Sequence, residues 1–186
     1  EELAALKIAN HWTRLDIKCL DAALHNRPER IADRLESVLA QHHAEYTNIL
    51  IAYADCGTRG AVDRVAQQFN AQRLPGAHCY EFYATSPVFA ALAEAEPGTF
   101  YLTDFLVRHF DRLVIKDMKL DEHPELEEML FGRYRKVVYL AQGDSSELLD
   151  RAERAAMRLK LPLKVVRTGY GLLAKTVEEE FIRVIT

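Results

Sequence analysis

Little in this chain signals a membrane, a secreted scaffold or a nucleic-acid surface. No apolar run approaches the roughly 20 residues needed to cross a bilayer, and no basic-then-apolar secretory segment opens the sequence. Cysteine is scarce, with 3 in 186 residues, and an odd number cannot all pair internally, which sets aside a disulfide-stapled secreted fold. Reduced thiols or metal thiolates in a cytoplasmic protein are the expectation. Basic charge is not in excess either. The 24 Lys and Arg residues against 28 Asp and Glu give a formal net charge of −4, so no concentrated basic face for nucleic acid is expected. With no internal repeat and no Pro/Gly/Ser-rich stretch to part domains, residues 1–186 read as one domain.

What is present is an alternation of short apolar segments with amphipathic ones, at a hydrophobic fraction of 49% that suits an ordinary globular core. Segments rich in Val, Ile, Leu or Tyr predict strands at Leu15 to Leu20, Asn48 to Ala54, Ala77 to Phe82, Arg112 to Lys116, Lys136 to Gln142 and Leu163 to Thr168. Between them the three- and four-residue steps of Ile31, Leu35, Val38, Leu39, His42 and Tyr46 predict a helix, with Pro28 suited to its first turn. Ser86-Pro87 and Asp144-Ser145-Ser146-Glu147 signal further helix starts. Repeated strand–helix–strand units imply an α/β fold: a mostly parallel sheet with helices on both faces, a Rossmann-like three-layer arrangement. Such sheets bind ligands beyond the carboxyl ends of their strands.

Two cysteines fall where a strand is expected to end. In Asp55-Cys56-Gly57-Thr58-Arg59-Gly60, a glycine after the strand lets the backbone turn and expose the Cys56 thiol. A helix opening near Gly60 would favour the thiolate. The bland alternative is an inert cysteine beside a tight turn. In Ala77-His78-Cys79-Tyr80-Glu81, Cys79 and Glu81 would share one strand face, and His78 joins them only if the chain bends. Thiolate, imidazole and carboxylate form a reasonable ligand set for zinc or iron, although a core cysteine beside a hydrogen-bonded histidine accounts for the same residues. His25 and Asn26 follow the first expected strand and stand ready to contact a ligand, or Asn26 to cap the long helix. Thr103 and Asp104 interrupt an apolar run and read either as rim contacts or as an N-cap. Cys19 alternates with Leu15 and Ile17 and reads as core. His42-His43 and Gly169-Tyr170-Gly171 carry no strong signal.

Leu24-His25-Asn26-Arg27-Pro28-Glu29, Tyr53 to Thr58, Gly76 to Glu81, Gly98 to Leu106 and Tyr139-Leu140-Ala141-Gln142, taken in this order, resemble an uncharacterised prokaryotic family of unknown function. Its members often lie near corrinoid-dependent methyltransferase genes in methanogenic archaea and some bacteria. Members of that family usually begin with a strand ending in Ala-Cys-Gly. The resemblance therefore implies that an N-terminal strand precedes Glu1, and that its cysteine joins Cys56 and Cys79 in a three-thiolate site for zinc or an iron–sulfur cluster.

The expected function is then metal binding, by a metalloenzyme or an accessory of one-carbon or methyl transfer. Cys56 and Cys79 would be ligands. His78, Glu81 and Asp55 would complete the shell, move a proton or hold the ligands, and His25, Asn26, Gly57, Thr58, Thr103 and Asp104 would contact the cofactor or substrate. The partners to expect are a small-molecule substrate or a corrinoid or methyltransferase protein, with no nucleic acid and no membrane. Aromatic residues near the rim fit a dimer contact as well as a pocket. Two alternatives stand beside this reading: a non-catalytic binding module with buried cysteines, and a metal-free enzyme with Cys56 as nucleophile and His78 as base.

Overall fold

The computed structural model describes residues 2–182. Its strands pair only in parallel among those residues, as the α/β reading requires, and they are distributed over two small sheets. The chain falls into two compact units, one containing the residues up to Phe82 together with those from Tyr170 onward, the other Tyr83–Gly169.

The first unit opens with α1 (Glu2–Ala9), which buries Leu6. The segment Leu15 to Leu20, expected as a strand, is irregular instead. Its alternation puts Asp16 and Lys18 in solvent, but it has no neighbouring strand to complete a ladder, and Asp16 accepts a hydrogen bond from the Tyr46 hydroxyl at 2.9 Å. Asp21 then caps a 3-10 turn, Ala22–Asn26, by accepting from the Ala23 N–H at 2.8 Å. A second such turn, Pro28–Arg30, leads into α2 (Ile31–His42). The four-residue step of Ile31, Leu35 and Leu39 buries one face of α2, as its periodicity predicts. Then follow β1 (Leu50–Ile51), α3 (Ala61–Gln68) and β2 (Gln72–Arg73), with Leu50 opposite Gln72 and Ile51 opposite Arg73. The strand expected over Asn48 to Ala54 is thus shortened to two residues. Val62 and Val65 of α3 meet Ile31, Leu35 and Ile51 in this unit's core.

Ala77 to Phe82, also expected as a strand, is a turn followed by α4 (Cys79–Ala84). Gly76 at φ 100° directs the chain out of β2, and the Phe82 N–H donates to the His78 carbonyl across a helical step, so no ladder can form there.

The second unit contains α5 (Ser86–Ala95), β3 (Thr99–Thr103), α6 (Asp104–Arg108) and a π-helical turn, Asp111–Lys116. It continues with α7 (Leu126–Phe131), β4 (Lys136–Ala141), α8 (Ser146–Arg158) and β5 (Leu163–Arg167). The expected strand over Arg112 to Lys116 is the π-helical turn: its adjacent residues Leu113 and Val114 are both buried, which a one-sided strand does not do. The strands at Lys136 and Leu163 form where expected. The sheet order is β3-β4-β5, and β4 in the middle is buried from Val137 to Ala141, the unbroken apolar pattern of a parallel strand covered on both faces. Ser145 caps α8 by accepting from the Leu148 N–H at 3.3 Å, which bears out the expected start there. The last helix, α9 (Leu172–Ile182), returns to the first unit and buries Leu173 and Val177.

Candidate functional site

The loop between β1 and α3 is organised by one carboxylate. Asp55 Oδ1 accepts from the Thr58 hydroxyl at 2.9 Å and the Gly60 N–H at 2.7 Å, while Oδ2 accepts from the Arg59 N–H at 3.2 Å. These donors, the Gly60 N–H foremost, hold the Asp55 pKa below its ordinary value. Thr58 Oγ1 in turn accepts from the Val62 N–H at 3.5 Å at the start of α3. The turn so fixed places four residues in left-handed backbone: Cys56 at φ 48°, Gly57 at 83°, Arg59 at 55° and Gly60 at 78°. The two glycines adopt this freely. At Cys56 and Arg59 it costs on the order of 1 kcal/mol each, which the Asp55 hydrogen bonds offset.

The second cysteine segment is docked on the first through the backbone. The Asp55 N–H donates to the Gly76 carbonyl at 3.2 Å and the Cys56 N–H to the Ala77 carbonyl at 2.8 Å. Glu81 reaches back along α4, where its Oε2 accepts from the Ala77 N–H at 3.2 Å. From beneath, Arg73 donates to the carbonyls of Leu74 at 2.6 Å and Gly76 at 3.3 Å while pairing with Asp63.

This clamp brings Cys56 and Cys79 together, and hydrogen bonding between their side chains couples the two ionisations. The Cys56 pKa falls from 9.0 to about 7, chiefly through that bond and against the opposing effect of burial, with the Cys79 N–H also donating. Cys79 is pushed well above its ordinary value by the same bond, by burial and by the nearby Cys56 charge. The thiolate expected at Cys56 is therefore favoured, but its main support is the other cysteine rather than the start of α3.

Asp55, Gly57, Thr58 and Glu81 are all in this clamp, and each of the three polar side chains among them already holds backbone or a neighbouring hydroxyl in place. His78 is exposed on the same loop, its ring 6.4 Å from that of Tyr80. The segment carrying His25 and Asn26 also approaches: a side chain added at Gly57 would meet the Pro28 ring at 3.8 Å. His25 is exposed on its 3-10 turn, and desolvation by the nearby protein lowers its pKa.

Thr103 and Asp104 belong to the second unit. Thr103 caps α6 by accepting from the Leu106 N–H at 3.4 Å. Asp104 is buried, and its Oδ1 accepts from the Tyr139 hydroxyl at 2.7 Å and the Gln142 N–H at 3.0 Å. The Gln142 side chain receives the Asp104 N–H at 2.7 Å, so the carboxylate locks the end of β3 to the end of β4.

Three residues that sequence reasoning passed over or discounted belong beside the thiols. Cys19, expected in the core, is exposed, because its segment forms no strand. Tyr53 has its pKa raised first by burial and then by Cys56, Cys19 and Cys79, so one phenol lies within electrostatic reach of all three sulfurs. Arg73 likewise feels the Cys56 charge. Two positions in advance of Asp55, Tyr53 had a signal in the strand alternation. Cys19 and Arg73 had none, since Cys19 lies on irregular chain and Arg73 on a strand of two residues, too short to read from periodicity.

Soft sulfur donors, one of them ionising near neutrality, suit zinc or an iron–sulfur cluster in kind. In number they fall short: among the described residues no three His, Cys, Asp or Glu side chains are grouped closely enough to hold an ion. A family model described as "Protein of unknown function (DUF1638)" matches residues 19–177. No curated protein and no solved structure matches the chain.

Proposed function

The chain belongs to the DUF1638 family of proteins of unknown function, and we propose that it works through a thiolate centre in which Cys56 and Cys79 act together as ligands of a soft metal, zinc or the iron of a cluster. The observation that carries this reading is the docking of the Cys79 segment on the Cys56 loop, by backbone hydrogen bonds of 3.2 Å from Asp55 to Gly76 and 2.8 Å from Cys56 to Ala77, which brings together two thiols of which one ionises near neutrality. Cys19 is the further sulfur we assign to this region, because Tyr53 feels its charge as well as those of Cys56 and Cys79. Asp55, Thr58, Glu81 and Arg73 are positioning residues that keep the two loops clamped. His78, exposed beside Cys79, is the residue placed to exchange a proton with solvent.

A metal held by thiolates can activate a substrate thiol for methyl transfer, and that chemistry fits the one-carbon role, the small-molecule substrate and the corrinoid or methyltransferase partners implied by the resemblance. The test is elemental analysis of protein purified without air. We expect about one zinc or one cluster per chain, lost in Cys56→Ser and in Cys79→Ser and reduced in Cys19→Ser. Protein that is metal-free as purified and takes up neither zinc nor iron would overturn the reading.

A second reading has its own support in the Cys56 pKa of about 7: a metal-free enzyme in which Cys56 is the nucleophile. Rapid labelling of one thiol at neutral pH, indifferent to chelators, separates it from the metal reading. A binding module that uses no thiol chemistry predicts instead that Cys56→Ser changes neither metal content nor partner binding.

A further inference from the structure

The second unit contains a concavity of about 350 Å³ between α6 and α8, and four arginines, Arg108, Arg151, Arg154 and Arg158, line it. The sequence of α8 accounts for three of them. At 100° per residue Arg151, Arg154 and Arg158 fall within an arc of about 60°, flanking the face that Ala152, Ala155 and Ala156 bury, and they extend over roughly 10 Å of helix. The small side chain of Ala155 leaves the floor of the hollow open.

Such a stripe is unfavourable in itself, because Arg154 and Arg158 are like charges one turn apart and Arg151 is a further three residues away. An amphipathic helix needs polar residues beside its buried face, but not cations alone. The neighbouring acids do not use the cluster up. Glu147 takes one nitrogen of Arg151 at 2.7 Å, Glu127 one of Arg158 at 2.6 Å, and Asp104 is 3.8 Å from Arg108. A guanidinium carries five N–H donors, so Arg151 and Arg158 keep most of theirs. Arg154 has no hydrogen-bond or ion-pair partner among the described residues. Asp111, also on the wall, opposes any anion, and the four arginines outnumber it.

We propose that this concavity is a binding site for a small molecule carrying a diphosphate group. A helix stripe of guanidiniums spaced over two turns, with a fourth from α6, matches two adjacent phosphoryl groups better than a single carboxylate, and planar N–H forks pair with phosphate oxygens two at a time. The volume is that of a small-ligand pocket, and its concave shape favours a compact anion over an acidic protein surface. The site is independent of the thiolate centre and lies wholly within the second unit.

The experiment is titration calorimetry of the full chain with inorganic pyrophosphate, with orthophosphate and polyglutamate in parallel. Expected is saturable one-to-one binding of pyrophosphate that weakens as salt is raised, is at least tenfold stronger than that of orthophosphate, and is lost by at least tenfold in the Arg151→Gln/Arg154→Gln double variant. Both residues are exposed, so the variant's melting curve should overlay that of the parent. Arg154→Lys keeps the charge without the fork and should retain part of the affinity. No saturable binding at millimolar pyrophosphate, or equal binding by parent and double variant, overturns the proposal. Arginine-dependent binding of polyglutamate without pyrophosphate binding also overturns it, in favour of a protein-docking face.

Discussion

The two units treat their polar groups in opposite ways. In the second, the buried strand ends spend their polar groups on one another: Asp104 is buried and receives both a phenol and a backbone N–H, and β4 is buried from Val137 to Ala141. In the first, the strands are two residues long, and the chain leaving β1 is held by side-chain-to-backbone bonds around Asp55, with two non-glycine residues in left-handed backbone. There the sulfurs of Cys56 and Cys79 have chiefly each other and nearby N–H groups as partners. A saturated network stabilises a fold, whereas a pair of groups that share one proton and remain partly accessible can change protonation or bind something. The difference puts the titratable thiols in the loops of the first unit and the closely packed three-stranded sheet in the second.

The contrast can be broken first at the core. Leu102 in β3 is fully buried, and Leu102→Ala should cost about 3 to 4 kcal/mol in denaturant unfolding, by lost burial and a residual cavity. A cost under 1 kcal/mol would mean that the three-stranded sheet is not closely packed. Next comes the comparison of two aspartates. Asp104→Ala strands the Tyr139 hydroxyl and the Gln142 N–H in the interior and should cost about 2 to 3 kcal/mol. Asp55→Ala removes more hydrogen bonds, but water can replace it at a half-buried loop, so about 1 kcal/mol is expected. The Asp55 contribution also has a pH signature. Its folded pKa lies below its ordinary value near 4, so its stabilisation is complete above that value and is lost as pH falls through the depressed one. Equal losses at the two aspartates would remove the distinction between the regions.

How much of this was legible in the sequence follows from the same contrast. The β4 and β5 strands and the α2 and α8 helices were readable, because apolar periodicity over a full element reports burial directly. The segments at Leu15, Ala77 and Arg112 misled, since a few alternating or consecutive apolar residues fit an irregular segment, a short helix or a π-helical turn as well as a strand. The turn at Cys56-Gly57 was legible from its glycines. Cys56 and Cys79 were expected on one rim as two strand ends, and they do come together, but through two backbone hydrogen bonds between loops more than twenty residues apart and a helix starting at Cys79, for which local sequence has no signature. Cys19 was misassigned for a related reason: its alternation is that of a strand, and only the lack of a pairing neighbour exposes it.

The smallest effect tests the pair itself. Cys79→Ala removes the main donor that stabilises the Cys56 thiolate, so the Cys56 pKa should rise from about 7 toward its ordinary 9. At pH 7 the thiolate fraction would then fall from about one half toward one per cent. The more basic thiolate is the better nucleophile, with a sensitivity of about 0.4 to 0.5 per pKa unit, which recovers most of a factor of ten. The net expectation is a reaction with a small aromatic disulfide some fivefold slower at pH 7, equivalent to about 1 kcal/mol, and faster than the parent above pH 9. The two rate–pH curves should cross, measured with chelator present so that bound metal cannot shield the sulfur. A Cys79→Ala curve that overlays the parent's would mean that Cys56 owes its ionisation to the loop backbone alone, and the case for two sulfurs acting together would lapse.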